Sequence, residues 1–180
     1  KTILKPNGKC AVVVPDNVLF EGGAGETIRK KLLEQFDLHT MLRLPTGIFY
    51  AGGVKANVLF FDKKIPREDG KAWTKKLWIY DLRTNMHFTQ KEKKLTRADL
   101  DEFVKCYNAA DITKRKEDTT DEKTRWKSYT YEKIVTFDKT SLDIFWLKDD
   151  SLIDLENLPE PEIIADEIKE NLESALESVT

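Results

Sequence analysis

An α/β fold is what this sequence predicts, and three observations carry the prediction. Short apolar runs of strand length recur at Lys9–Pro15, Leu38–Leu44 and Ala56–Phe61. A segment of helical period separates the first run from the second, and glycine- and proline-marked loops punctuate the rest. Strands that alternate with a helix and long connections are the pattern of an α/β sheet.

The first run follows the turn signal Pro6-Asn7-Gly8 and is continuously apolar, as a strand buried on both faces is; it is expected to be a central parallel strand. After the loop Glu21–Gly25, residues Glu26–Phe36 place Ile28, Leu32, Leu33 and Phe36 on one face and acids near the start, which predicts an amphipathic helix. Leu38–Leu44 and Ala56–Phe61 follow as strands around the loop Pro45–Gly53. A lysine-rich connection over residues 62–76 leads to a further strand at Leu77–Leu82. Thr96–Tyr107 opens with a capping threonine and an acid three residues on, then lines up Leu100, Phe103, Val104 and Tyr107, so a helix is expected. Asn108–Lys127 is almost wholly polar and reads as a mobile loop. Tyr129–Leu147 is apolar enough to pack back on the body in a form the pattern leaves open, and beyond Pro159 and Pro161 the spacing predicts an amphipathic helix at Glu162–Val179.

Composition bounds the function classes. The chain has 180 residues and 40% hydrophobic content, enough for one ordinary domain with a core and a small appendage. Cys10 and Cys106 lie far apart, and neither His39 nor His87 sits at metal-ligand spacing, so neither disulfides nor a metal site are expected. No run is long and apolar enough for a membrane span, and a cytoplasmic setting is expected. The formal net charge of -2 conceals an asymmetry: residues 149–180 hold eleven of the 32 acids and one of the 30 bases, giving -10, which leaves +8 on residues 1–148. A basic body suits nucleic acid, and solvated charged faces are the plainer explanation.

Few residues suggest chemistry. The Gly22–Gly25 turn lacks the lysine and hydroxyl of a phosphate-binding loop, and no nucleophile or carboxylate pair stands out. The loop Leu44–Lys55 differs, because adjacent Phe49 and Tyr50 sit among glycines with Lys55 at the edge of the next strand. Such rings either pack as a lid or offer a stacking surface to a base swung out of a duplex, the cation then meeting phosphate.

Three motifs, VVVPDNVLF at Val12–Phe20, LRLPTGIF at Leu42–Phe49 and GVKANVLFF at Gly53–Phe61, resemble the modification subunits of type I restriction-modification systems, as does SLDIFWL at Ser141–Leu147. That family consists of N6-adenine DNA methyltransferases, so the resemblance implies the C-terminal part of a Rossmann-like, S-adenosylmethionine-dependent sheet followed by a mostly helical extension. The runs at 9–15, 38–44 and 56–61 would be its last three strands. The implied organisation is catalytic-domain remainder over 1–90, an extension with helix and charged loop over 91–158, and a terminal helix over 159–180. By the same resemblance Phe49, with Tyr50 as the alternative, would stack on the target adenine, while Lys55 and Asn57 would line the pocket mouth near the DNA backbone. The family's glycine-rich cofactor motif and its Asn/Asp-Pro-Pro-Tyr/Phe motif do not occur in these 180 residues. The full-length protein is therefore expected to use S-adenosylmethionine and no metal, and this fragment to bind no cofactor and be inactive alone. Implied partners are double-stranded DNA and the specificity and restriction subunits. The strand at 9–15 would keep an open edge through which the fragment self-associates. The competing reading is a non-catalytic interaction module that assembles a DNA-binding complex.

Overall fold

The structure, a computed structural model, describes residues 3–50, 53–117, 119, 121 and 123–149; the helix expected at Glu162–Val179 lies outside them. Five strands form one mixed sheet in the order β1-β3-β2-β4-β5: β1 Lys9–Pro15, β2 Phe36–Arg43, β3 Ala56–Lys63, β4 Lys76–Asp81 and β5 Trp126–Thr130. β2 and β4 are parallel, whereas β3 runs antiparallel to both β1 and β2, and β5 antiparallel to β4. The parallel set β1, β2 and β4 therefore ends together at Pro15, Arg43 and Asp81, the edge where β3 and β5 begin.

β1 departs from its expected place. It lies at the edge of the sheet, its one partner among the described residues is the antiparallel β3, and most of it is exposed. A continuous apolar run marks a strand whose two faces suit burial, but its neighbours are chosen by the chain that returns beside it. Here β3 slots between β1 and β2, which keeps both parallel to one another without their touching.

Two apolar layers flank the sheet. On one face Leu33 of helix α2 (Ala24–Gln35) meets Leu38, Met41, Leu59, Leu77 and Ile79, with Leu19 of the short helix α1 (Asn17–Phe20) and Ile134 of α4 (Tyr131–Ile134) beside them. On the other face Phe103 of α3 (Asp101–Tyr107) packs on Leu42, Trp78, Tyr80, Leu82 and Trp126. β4 serves both layers by simple alternation, Leu77 and Ile79 one way, Trp78 and Tyr80 the other. Each fully buried aliphatic side chain contributes about 1.5–3 kcal/mol relative to exposure. A bulge between Leu38 and Thr40 breaks the alternation in β2. It turns His39 toward Tyr107, where burial and the Arg115 charge hold the imidazole down to about 4 against the pull of Asp62.

Arg29 ties the helical layer together. Its guanidinium is buried and donates to the carbonyls of Val18, Glu21, Lys139 and Thr140, joining α1, α2 and the turn at Asp138–Thr140. Thr96 and Asp99 form half of the expected capping box: the Asp99 carboxylate accepts from the Thr96 N–H at 2.7 Å, and a short 3₁₀ turn at Ala98–Leu100 leads into α3.

Two polar segments are more ordered than the sequence suggests. Within Asn108–Lys127, Arg115 is buried over the rings of Tyr107 and Trp126 and donates to the Tyr107 carbonyl and the Thr40 hydroxyl, so part of the expected mobile loop is a plug against the sheet. After it β5 joins the sheet beside β4, adding a strand to an extension expected to be mostly helical. Polar composition hides such a strand because adjacent Lys127 and Ser128 separate Trp126, which packs in one layer, from Tyr129, which packs against the other. Residues Lys1–Leu147 make up one compact unit. Among the described residues no helix is long and apolar enough to cross a membrane.

Candidate functional site

The edge at which β1, β2 and β4 end gathers the charged side chains of the apolar strands. Asp16 follows β1, Arg43 closes β2, Asp81 closes β4 and Arg83 lies two residues beyond it. Arg83 is the hub. Its fork grips Asp16 at 2.7 and 2.9 Å and donates to the carbonyls of Leu44 and Ala56 at 2.8 Å each, and to the Asn57 amide oxygen at 3.3 Å. Asn57 completes the ring by donating to Asp16 at 2.7 Å. Burial alone would raise the Asp16 carboxyl, but hydrogen bonds from Arg83 and Asn57, with the nearby Arg83 and Arg43 charges, hold it below the usual carboxylate range.

Beside this ring Arg43 is fully buried. It donates to the Ile144 carbonyl at 2.9 Å, reaches Asp143 at 3.3 Å and Asp81 at 3.5 Å, and stacks on the Phe145 ring at 4.1 Å. Burial raises the Asp143 carboxyl, with Arg43 opposing. Asp81 in turn accepts from the N–H groups of Arg83 and Thr84 and from the Thr84 hydroxyl. The two ends of the loop Leu44–Lys55 are thus tied to three strands, because Arg83 holds the carbonyls of Leu44 and Ala56 and the Asp16 N–H donates to the Lys55 carbonyl.

Within the loop the backbone leaves no room for choice at Gly47. Its φ is +80°, and a Cβ there would stand 1.8 Å from the Phe88 carbonyl oxygen. This close approach seats Ile48 and Phe49 against the apolar layer around Leu42 and Phe103. Phe49 is half-buried in consequence, while Tyr50 is 93% exposed. Lys55 is exposed at the foot of β3. Asn57 has 0% exposure, so it is not a wall of an open mouth: its amide is spent on Asp16 and Arg83, and it supports the loop from beneath. Sequence reasoning named the rings and Lys55 but passed over Asp16, Arg43, Asp81, Arg83 and Asp143. Their signal was an ionisable residue at or just past the end of an apolar run, where a charge must be either paired or functional.

The edge where parallel strands end is where α/β folds place their ligands. Among the described residues no group of His, Cys, Asp and Glu could hold a metal ion. The sequence pattern of the family described as N-6 DNA methylase matches residues 2–147. This chain belongs to the N-6 DNA methylase family. The type I restriction enzyme EcoKI methylase subunit of Escherichia coli strain K12 is 44% identical over 201 aligned residues, which cover 96% of this chain and 37% of that protein. The crystal structure of the EcoKI M protein superposes with a TM-score of 0.69 at 40% identity, over 96% of this chain and 40% of that one. A chain solved for complex assembly and conformational transition of the type I R-M system gives a TM-score of 0.64 at 26% identity, over 97% of this chain and 35% of that one. This N-6 DNA methylase chain therefore spans little more than a third of the length of the relatives it matches. Its mixed sheet with helices is of the α/β class, as expected, and close to that of the EcoKI M protein.

Proposed function

We propose that this chain forms the target-base side of an N6-adenine DNA methyltransferase, the modification subunit of a type I restriction-modification system. The observation that carries the reading is the braced loop Leu44–Lys55, which stands at the ligand edge of the sheet in a chain of the N-6 DNA methylase family. A ring that receives an extruded base must be held before the base arrives, since ordering it on binding costs free energy. Phe49 meets that need better than Tyr50: part of its surface is fixed on the apolar layer and part stays open, whereas Tyr50 is almost wholly in solvent. Lys55, exposed at the foot of β3, is the cation this reading assigns to a phosphate, and Asn57 acts only through the Asp16–Arg83 ring.

S-adenosylmethionine would be the methyl donor of the full-length protein, held by segments other than those described. Around Gly22–Gly25 the guanidinium of Arg29 fills the turn, lying 3.2 Å from a Cβ placed on Gly25 and donating to the Glu21 carbonyl, so no cradle for a nucleotide is open there. That turn does not fit the cofactor, and the part this reading gives the described residues in transfer is to hold and orient the base. Double-stranded DNA and the specificity and restriction subunits are the partners this reading assigns.

The test is Phe49→Ala in the full-length protein assembled with its specificity subunit. Stacking is worth about 1–3 kcal/mol per base, so kcat/KM for methyl transfer should fall roughly 5- to 150-fold while assembly and the melting temperature hold. If Phe49→Ala transfers normally and Tyr50→Ala does not, the roles of the two rings exchange; if neither matters, the chain is an interaction module. The isolated chain should also self-associate through β1, whose outer edge has no strand partner among the described residues and carries Val13 at 55% exposure. Sedimentation velocity across a tenfold concentration range should show a rising weight-average coefficient, and a constant monomer value counts against the edge.

A further inference from the structure

We propose that the turn Thr89–Lys94 is a phosphate-contacting arm, in which Lys91, Lys93 and Lys94 meet the DNA backbone beside the base held at Leu44–Lys55. This rests on the reading of that loop as a base-contacting element.

Position is the first support. The Gly47 backbone lies directly against the Phe88 carbonyl, and Ile48 faces Thr89, Gln90, Lys94 and Leu95 across an open groove of about 450 Å³. Loop and turn therefore share one surface at the ligand edge.

Rigidity is the second. The Thr89 N–H donates to the Lys93 carbonyl at 2.9 Å, and the Thr89 hydroxyl accepts from the N–H groups of Glu92 and Lys93 at 3.0 and 2.9 Å. The three lysines thus project from a closed turn, and Lys93 lies over the Phe88 ring at 5.3 Å.

Charge is the third. Three cations stand within four residues with Glu92 the one acid among them, and all are exposed. Among the described residues none of the three forms an ion pair with a carboxylate; Asp99, which feels the Lys93 charge, is hydrogen-bonded by Thr96, and Asp101 is paired with Arg97. Part of the basic connection at the opposite edge is arranged differently. There Lys64 is paired with Asp37 and Asp62, and Arg67 with Asp69. Exposed cations without an ion pair on a fixed turn suit a polyanion, and cations beside a base site suit the phosphates that flank it.

The experiment is the triple variant Lys91→Ala, Lys93→Ala, Lys94→Ala in the full-length protein with its specificity subunit, read by DNA binding as a function of salt. Each phosphate neutralised contributes about 0.9 to the slope of log K against log salt, so the slope should become shallower by roughly 2 to 3, equally for specific and unrelated duplexes. The triple arginine variant should retain the wild-type slope, and Lys71→Ala, at the far edge, should leave it unchanged. An unaltered slope in a triple alanine variant that melts normally overturns the proposal, as does an equal change from Lys71→Ala. The two readings separate cleanly: Phe49→Ala is expected to lower transfer at an unchanged slope. A shallower slope in the lysine variant with normal transfer in Phe49→Ala keeps the arm and removes the base-stacking role.

Discussion

Replacing Arg83 by methionine should cost about 3–5 kcal/mol of stability, because it strands a largely shielded carboxylate and leaves an amide and two carbonyls short of a donor. For a unit of this size that corresponds to a fall of roughly 6–20 °C in the melting temperature. The side chain is 11% exposed and its Asp16 partner 19%, so water can repair little of the loss. Lysine should rescue poorly, since one ammonium cannot reproduce a fork that spans Asp16, Leu44, Ala56 and Asn57. A double variant that also replaces Asp16 by leucine should recover part of the loss, giving a coupling energy of a few kcal/mol in a double-mutant cycle. The acid limb supplies a second readout. The folded Asp16 pKa lies below its unfolded value, so the ring's contribution is complete above the unfolded pKa and disappears as pH falls through the folded one. The variant should lose that part of the acid-side dependence. A loss below about 1 kcal/mol in urea titration would mean the carboxylate rehydrates and that Arg83 is no hub.

The second large effect is expected at Gly47→Ala. A side chain at φ +80° costs about 1–2 kcal/mol, and the methyl would also stand 1.8 Å from the Phe88 carbonyl oxygen, a clash with backbone that no rotamer change relieves. The loop and the segment around Phe88 must separate, and both Phe49 and the lysine turn move with them. Displacement of about 1 Å at a reacting site can cost 10²-fold in rate, so methyl transfer by the full-length protein should fall by about that factor or more. Amide exchange in residues 44–50 and 83–97 should speed up while β2 and β4 keep their protection. Gly53→Ala is the matched control: a Cβ there meets nothing within 4 Å, and both exchange and transfer should stay near wild type. If Gly47→Ala behaves like Gly53→Ala, the seat of the loop on Phe88 does not govern the site.

How much of this was legible beforehand follows from which physical forces act locally. The strands at Leu38, Ala56 and Leu77 and the helix over Ala24–Gln35 were readable within a few residues, because burying an apolar face imposes a period on the sequence itself. The rings at Phe49 and Tyr50 were readable as an oddity, two large side chains among glycines. Which of them packs on the body was not, since it depends on where Gly47 meets Phe88, a contact between segments some forty residues apart. Likewise Trp126–Thr130 gave no strand signal: its pairing with β4 and the plug of Arg115 come from residues distant in sequence.

By itself, then, the sequence determined the α/β class, the family motifs and the candidate loop, all of which rest on local patterning or on residues read in place. Tertiary structure alone decided that β1 lies at an edge against an antiparallel β3, that Asn57 is buried support, and that Asp16, Arg43 and Arg83 brace the site. The reason is electrostatic: a charge at the end of an apolar strand must find its partner once water is removed, and only the folded chain brings Arg83 across 67 residues to Asp16.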